Sequence, residues 1–189
     1  MNRRVVIPVV ALFAVVAVAV GLFLFQPWRI FTSSTVAEDI PAVAPPASQS
    51  APQSAPQSAP QSAGPSAEPA PIPPRQLSGG ELISHEHASS GTVKILELAD
   101  GSRILRFEGL DTSDGPDLRV WLSDAQVIEG AAGWQVFDDG AYLDLGVLKA
   151  NKGDQNYVIP PGANLADYSS VSIWCARFAV SFAAAELTS

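Results

Sequence analysis

Hydrophobic positions along this chain fall into three successive patterns. From Val5 to Phe25 they are nearly continuous, interrupted by Pro8 near the start and Gly21 near the end. A helix of about 21 residues at 1.5 Å each covers roughly 32 Å, close to the hydrocarbon thickness of a bilayer. The run therefore predicts a transmembrane helix over 5–25, a signal anchor, after a short cytoplasmic tail over 1–4. From about residue 33 to 75 the periodicity vanishes into Pro, Ala, Ser and Gln, with Ala-Pro-Gln-Ser repeated in tandem over 51–62. Such a stretch has too little to bury to offset its ordering entropy, so 26–76 reads as a disordered spacer biased toward polyproline II. It would be a stalk lifting the C-terminal part of the chain off the membrane.

Beyond Pro74 apolar residues alternate in short runs between turn residues. Thr92–Leu98 reads as a strand closed by Asp100-Gly101, a two-residue hairpin signal. Ser102–Phe107 returns from it, with Leu105 and Phe107 on one face and Arg106 and Glu108 on the other. Leu118, Val120 and Leu122 alternate with Arg119, Trp121 and Ser123. Leu143, Leu145 and Val147 share a face of a strand over 142–148, Gln155–Ile159 forms a short strand, and Leu165–Tyr168 forms one helical turn. The last run changes phase. Val171, Ile173 and Cys175 have one parity, and Phe178, Val180 and Phe182 the other, which predicts one long strand slipped by a bulge near Ala176–Arg177. With no long amphipathic helix between these runs, 77–189 is expected to be all-β, an antiparallel β-sandwich or small barrel.

Charge orients the molecule and removes some partners. Arg3 and Arg4 precede the apolar run, whereas Arg29 alone follows it before Glu38 and Asp39. This asymmetry puts the N-terminus in the cytoplasm and the C-terminal domain outside it, as a single-pass protein of the cell membrane. A cleaved signal peptide is the alternative, but its apolar core would be shorter and its cleavage site closer. From Gln76 onward there are 7 Lys+Arg against 16 Asp+Glu. So acidic a domain is unsuited to nucleic acid, whose phosphates need clustered cations.

Several segments resemble the DM-13 domain family. They are Leu105-Arg-Phe-Glu-Gly-Leu-Asp111, Gly115-Pro-Asp-Leu-Arg-Val-Trp-Leu122, Leu145-Gly-Val-Leu-Lys-Ala-Asn-Lys-Gly153, Gln155-Asn-Tyr-Val-Ile-Pro160, Tyr168-Ser-Ser-Val-Ser-Ile-Trp-Cys175 and Phe178-Ala-Val-Ser-Phe182. The family also occurs beside DOMON domains in animal Skeletor-type proteins. The resemblance implies a β-rich extracytoplasmic domain in electron transfer, with a redox partner protein. It centres that role on Cys175 of Ile-Trp-Cys, as a redox thiol or as the ligand of a prosthetic group such as haem. The chain carries no DOMON-like or cytochrome-like segment.

Residue by residue, Cys175 is the single cysteine, so no intramolecular disulfide forms. It reads either as a redox or ligand group, as an intermolecular disulfide partner, or as a small buried residue of a core strand. Trp174 is expected on the opposite face. His85 and His87 flank Glu86, and in an extended segment that spacing puts both imidazoles on one side, where either could join Cys175 on a haem. Solvated polar residues are the competing reading. Asp111, Asp114 and Asp117 surround Gly115-Pro116 but lack the oxygen spacing of a calcium loop, so turn formation accounts for them. No nucleophile elbow, metalloprotease motif, P-loop or C-x-x-C-H haem attachment is present. The functions in view are an electron-transfer module using Cys175, a non-catalytic binding domain on a stalk and, third, an enzyme acting alone on a small substrate.

Overall fold

The structure, a computed structural model, describes residues 3–26, 28, 32–42 and 72–189, with backbone only for 3–10 and Phe25. A helix α1 (Arg3–Phe25) is followed by ten strands: β1 (Thr35–Ala37), β2 (Arg75–Glu81), β3 (Ile83–Ser84), β4 (Ser90–Glu97), β5 (Arg103–Asp111), β6 (Leu118–Ser123), β7 (Tyr142–Val147), β8 (Lys152–Ile159), β9 (Ser170–Cys175) and β10 (Val180–Glu186). They form two five-stranded sheets, ordered β1-β8-β5-β4-β2 and β3-β10-β9-β6-β7. The period-two pattern explains the stacking. Val93, Ile95, Leu105, Phe107 and Tyr157 of one sheet meet Val120, Leu122, Val171, Ile173 and Phe182 of the other in one buried core. The fold is a β-sandwich. Its two sheets are stitched along one side, where Gly79 and Thr188 exchange backbone hydrogen bonds of 2.8 and 3.0 Å.

Some elements differ from expectation, each for a local reason. The run over 171–182 is two strands, β9 and β10, joined by a tight turn with Ala179 at φ 49°. Phe178 lies in that turn, and the one-residue slip falls inside β10 between Ser181 and Ala183. A hairpin reverses facing just as a bulge does, so parity alone does not separate the two. The Asp100-Gly101 turn is a three-residue loop rather than a two-residue one. Gly101 N–H donates to Leu98 O (2.9 Å), Leu98 N–H to Ser102 O (2.8 Å), and Gly101 takes φ +83°. Val147 leaves the face of Leu143 and Leu145, because Gly146 at φ +120° turns the strand; Val147 is exposed and Leu148 packs on the core instead. The turn at Leu165–Asp167 forms as a 3-10 helix capped by Asn164.

The largest difference lies inside the expected spacer. Thr35–Ala37 forms β1, parallel to β8, with Thr35 opposite Lys152, Val36 opposite Gly153 and Ala37 opposite Asp154. Gly153 makes this approach feasible, since it adopts φ +97° and a Cβ there would overlap the Val36 carbonyl. Glu38 continues the attachment. Its carboxylate accepts from Lys149 Nζ (2.7 and 2.9 Å) and from Asn156 N–H (2.7 Å), while its carbonyl accepts from Arg106 (2.8 Å). Further on, residues 40–42 and 72–74 line one groove beside Leu98 and Ala99. Residues 42 and 72, which flank the repeat segment 43–71 that lies outside the described residues, therefore meet at one groove of the domain. Between α1 and β1 the sequence has only residues 26–34, at most about 30 Å of extended chain.

Helix α1 has 23 residues, of which Ala11–Leu24 have described side chains. Among the described residues no helix is long and apolar enough to cross a membrane. The span expected over 5–25 rests on the apolar run of the sequence.

Candidate functional site

Cys175 ends β9 in the middle of its sheet, opposite Leu118 of β6 and Val180 of β10. Its side chain faces the inter-sheet core and is fully buried. Sγ donates to Pro116 O at 3.2 Å. Two turns close over this strand end: Ala176 N–H donates to Asp117 O (3.0 Å), and Phe178 N–H to Cys175 O (3.2 Å). Asp117 is held at φ 61°, so the Gly115-Pro116-Asp117 turn brings the Pro116 carbonyl to the thiol. Burial pushes the thiol pKa above its ordinary value, with nearby Glu86 and Asp117 adding to the rise against backbone hydrogen bonds from Phe178 and Arg177. The thiol is therefore protonated and shielded, the opposite of an activated cysteine.

Beside it lies Phe182. A Cβ on Gly115 would sit 2.8 Å from the Phe182 ring, so the glycine is what allows the turn to pack on that ring. His87 covers the other side, its ring centroid 3.9 Å from that of Phe182, with Nε2 3.6 Å from Glu86. His85 goes elsewhere. Nδ1 meets Ser181 Oγ at 2.9 Å, Ser172 Oγ donates to the same oxygen at 2.9 Å, and the ring lies 5.8 Å from Phe137. Ser181 Oγ also lies 3.0 Å from Ala183 O, so His85 Nδ1 and the two serine hydroxyls form one buried hydrogen-bond chain. His85 Nε2 is buried with no hydrogen-bond partner, and burial pushes the imidazole pKa down.

The expectation that the two imidazoles share a side assumed an extended segment. Residues 85–87 form a bend instead, so His87 reaches the core side of the second sheet and His85 its outer side. Nor does a haem fit at Cys175. Its sulfur is enclosed between two strands and hydrogen-bonded to the chain, and none of the described grooves has Cys175, His85 or His87 in its wall. Opening room for a macrocycle would dismantle the core around Phe182 and Leu118. The three aspartates also diverge: Asp111 pairs with Lys152 (2.8 Å), Asp114 accepts from Gly115 N–H (2.8 Å) and Asp117 from Arg119 (3.1 Å). Among the described residues no three His, Cys, Asp or Glu side chains gather as a metal site would need.

Trp174 does point away from Cys175, into a second cluster on the outer face of β6, β9 and β10. There Trp174 stacks on Trp121, with centroids 5.0 Å apart and planes at 22°. Trp121 stacks on Tyr142, 4.0 Å apart at 11°. Phe137, from the loop between β6 and β7, caps Trp174 edge-on at 6.4 Å. Motifs and spacing did not reveal this cluster. A signal for it exists nonetheless: two adjacent strands each carry a Trp on the parity opposite to their core residues, which calls for cover on the outer face.

A two-sheet sandwich with a sealed thiol at one strand end and an aromatic stack behind it defines a class of small all-β domain. Within that class, the family model described as Electron transfer DM13 matches residues 81–187, over half of the chain, and the chain belongs to that family. No curated protein and no solved structure matches it.

Proposed function

We propose that the protein is an electron-transfer module, held at the cell membrane by its N-terminal apolar helix with the β-domain on the extracytoplasmic side. The observation that carries the redox part is the family match over 81–187, which contains the whole Cys175 turn and the aromatic stack behind it. Support for the anchor comes from the apolar run over 5–25 and from the helix surface. Leu12, Phe13, Val15, Val18 and Phe23 lie around the helix and are all more than 60% exposed, a girdle that suits an apolar solvent. Arg3 and Arg4 support the cytoplasmic N-terminus. With β1 docked, the domain sits near the bilayer surface, within reach of a membrane-bound redox partner.

The chemistry at Cys175 is constrained by its packing. Thiol–disulfide exchange needs a thiolate and a path to it, and the shielded, protonated sulfur offers neither. Electrons therefore pass singly through the domain, with Cys175 kept as a neutral thiol beside their path. A second reading, a binding domain in which Cys175 only packs, is favoured by that same burial. Titrating the full chain with a one-electron oxidant and then a reductant separates them. The first reading expects oxidising equivalents that are taken up and returned. A chain that exchanges none, with Cys175→Ser fully active in its host, overturns it and leaves the second.

A further inference from the structure

The geometry points to a lipid contact at one end of the sandwich: the β9–β10 turn, with Phe178 exposed on it, sits in the headgroup layer of a zwitterionic bilayer. This rests on the membrane-anchor part of the reading above and names the surface that the anchored domain turns toward the lipid. The connection to α1 carries it. Strand pairing gives the sandwich two opposite ends. Cys175, Leu118, Asp111 and Lys152 lie at one, and Ser170, Ser123, Arg103 and Ile159 at the other. At the first end a single groove joins Asn151 to Leu118 across the two sheets. The segment leaving α1 is fastened to this same end at three points. Arg177 Nη1 donates to Leu24 O (3.0 Å), Thr32 Oγ1 to Asp114 (2.6 Å) and Ser34 N–H to Asn151 (2.7 Å).

The Arg177 contact is a helix cap supplied by the domain. Gln26 satisfies the Leu22 carbonyl from its backbone N–H (2.9 Å) and the Phe23 carbonyl from its side chain (3.3 Å), and Arg177 takes that of Leu24. The negative end of the helix favours a guanidinium there. The same bond pins the β9–β10 turn to the level at which α1 ends, where an anchored helix leaves the hydrocarbon. All of Ala176–Ala179 is exposed, Phe178 at 43%. Trp28 (50%) and Val147 (58%) stand with Asp117 and Leu118 in the groove at that end. Aromatic rings at such a depth lay apolar faces against the acyl boundary. Charge selects the lipid. From Gln76 onward 7 Lys+Arg face 16 Asp+Glu, Asp114 and Asp117 at this end among them, so an anionic leaflet repels the domain. The contact is therefore apolar and fits zwitterionic phospholipid.

The test uses the full chain in phosphatidylcholine nanodiscs, with a nitrobenzoxadiazole dye on one introduced cysteine at a time. Native Cys175 is buried and stays unlabelled. Lipid carrying a nitroxide on its headgroup should quench the dye on Phe178→Cys and on Val147→Cys. It should leave the dye on Gly162→Cys bright, because β8 alone puts roughly 23 Å between the two ends. Leu12→Cys, read with a nitroxide on the acyl chain, reports the anchor separately. Quenching at Leu12, with Phe178 and Val147 as bright as Gly162, overturns the lipid contact and keeps the anchor. No quenching at Leu12 removes the anchor and the contact with it. Equal quenching at all three domain positions also overturns the contact, since no one end then faces the lipid. Val147→Cys keeps the test decisive where Phe178→Cys disturbs the turn. The quenching at both should persist as salt rises, and its loss would overturn an apolar contact.

Discussion

Replacing Gly153 with alanine tests whether β1 is an integral part of the domain. Gly153 is at φ +97°, and an added Cβ would overlap the carbonyl oxygen of Val36 and lie 3.3 Å from Thr35 Cγ2. Both neighbours belong to β1, so the strand must leave or the local backbone must shift. Holding a non-glycine residue at that φ costs about 2 kcal/mol. Undocking β1 forfeits at least the bonds from Lys152 N–H to Ser34 O (3.1 Å) and from Glu38 N–H to Asp154 O (3.0 Å), together about 2 kcal/mol net. A loss of about 4 kcal/mol is a large part of the stability of a domain this size. Urea unfolding of the full chain measures it, with hydrogen exchange at the Val36–Glu38 amides. Gly162→Ala is the control, since nothing lies within 4 Å of a Cβ there. If Gly153→Ala unfolds at the same urea concentration as Gly162→Ala and keeps those amides protected, the strand is not held by Gly153 as argued.

Other outcomes rest on neighbouring contacts. The Lys149 hydrogen bond, with that from Asn156 and nearby positive charge, holds the Glu38 carboxyl below its ordinary 4.5 against the burial that raises it. Its stabilising effect is thus full above pH 4.5 and lost as pH falls through the lower folded-state value, so exchange protection of β1 should weaken in acid. Glu38→Gln should remove that dependence. Burial lowers His85 from 6.5, so the unfolded chain takes up the proton first and stability should decline as pH falls below 6.5; His85→Gln should flatten the slope of urea midpoint against pH. Cys175 should react with a thiol reagent about a thousandfold more slowly in native buffer than in urea, because reaction waits on core opening. Fast native alkylation would refute its burial.

Alternation makes the sandwich legible because both sheets bury one face and expose much of the other. Parity alone places Leu105 and Phe107, Val120 and Leu122, and Val171 and Ile173 inward, and Trp174 outward. It does not show how segments distant in sequence meet. Thr35–Ala37 looks featureless because a three-residue edge strand is secured by its partner, Gly153, and by Glu38 rather than by its own hydrophobicity. Spacing misleads at His85 and His87 because it presumes extended backbone where the chain bends. Cys175 stands out by its motif, but its burial depends on the Pro116 carbonyl delivered by a turn some 60 residues earlier in sequence. The aromatic stack needs the pairing of β6 with both β7 and β9, which no local pattern fixes.

The most direct test of the electron-transfer claim is a coulometric redox titration of the full chain purified from its native host. An electron-transfer module takes up oxidising equivalents and returns them on back-titration. A chain that takes up no equivalents, or whose uptake is never returned, contradicts that role.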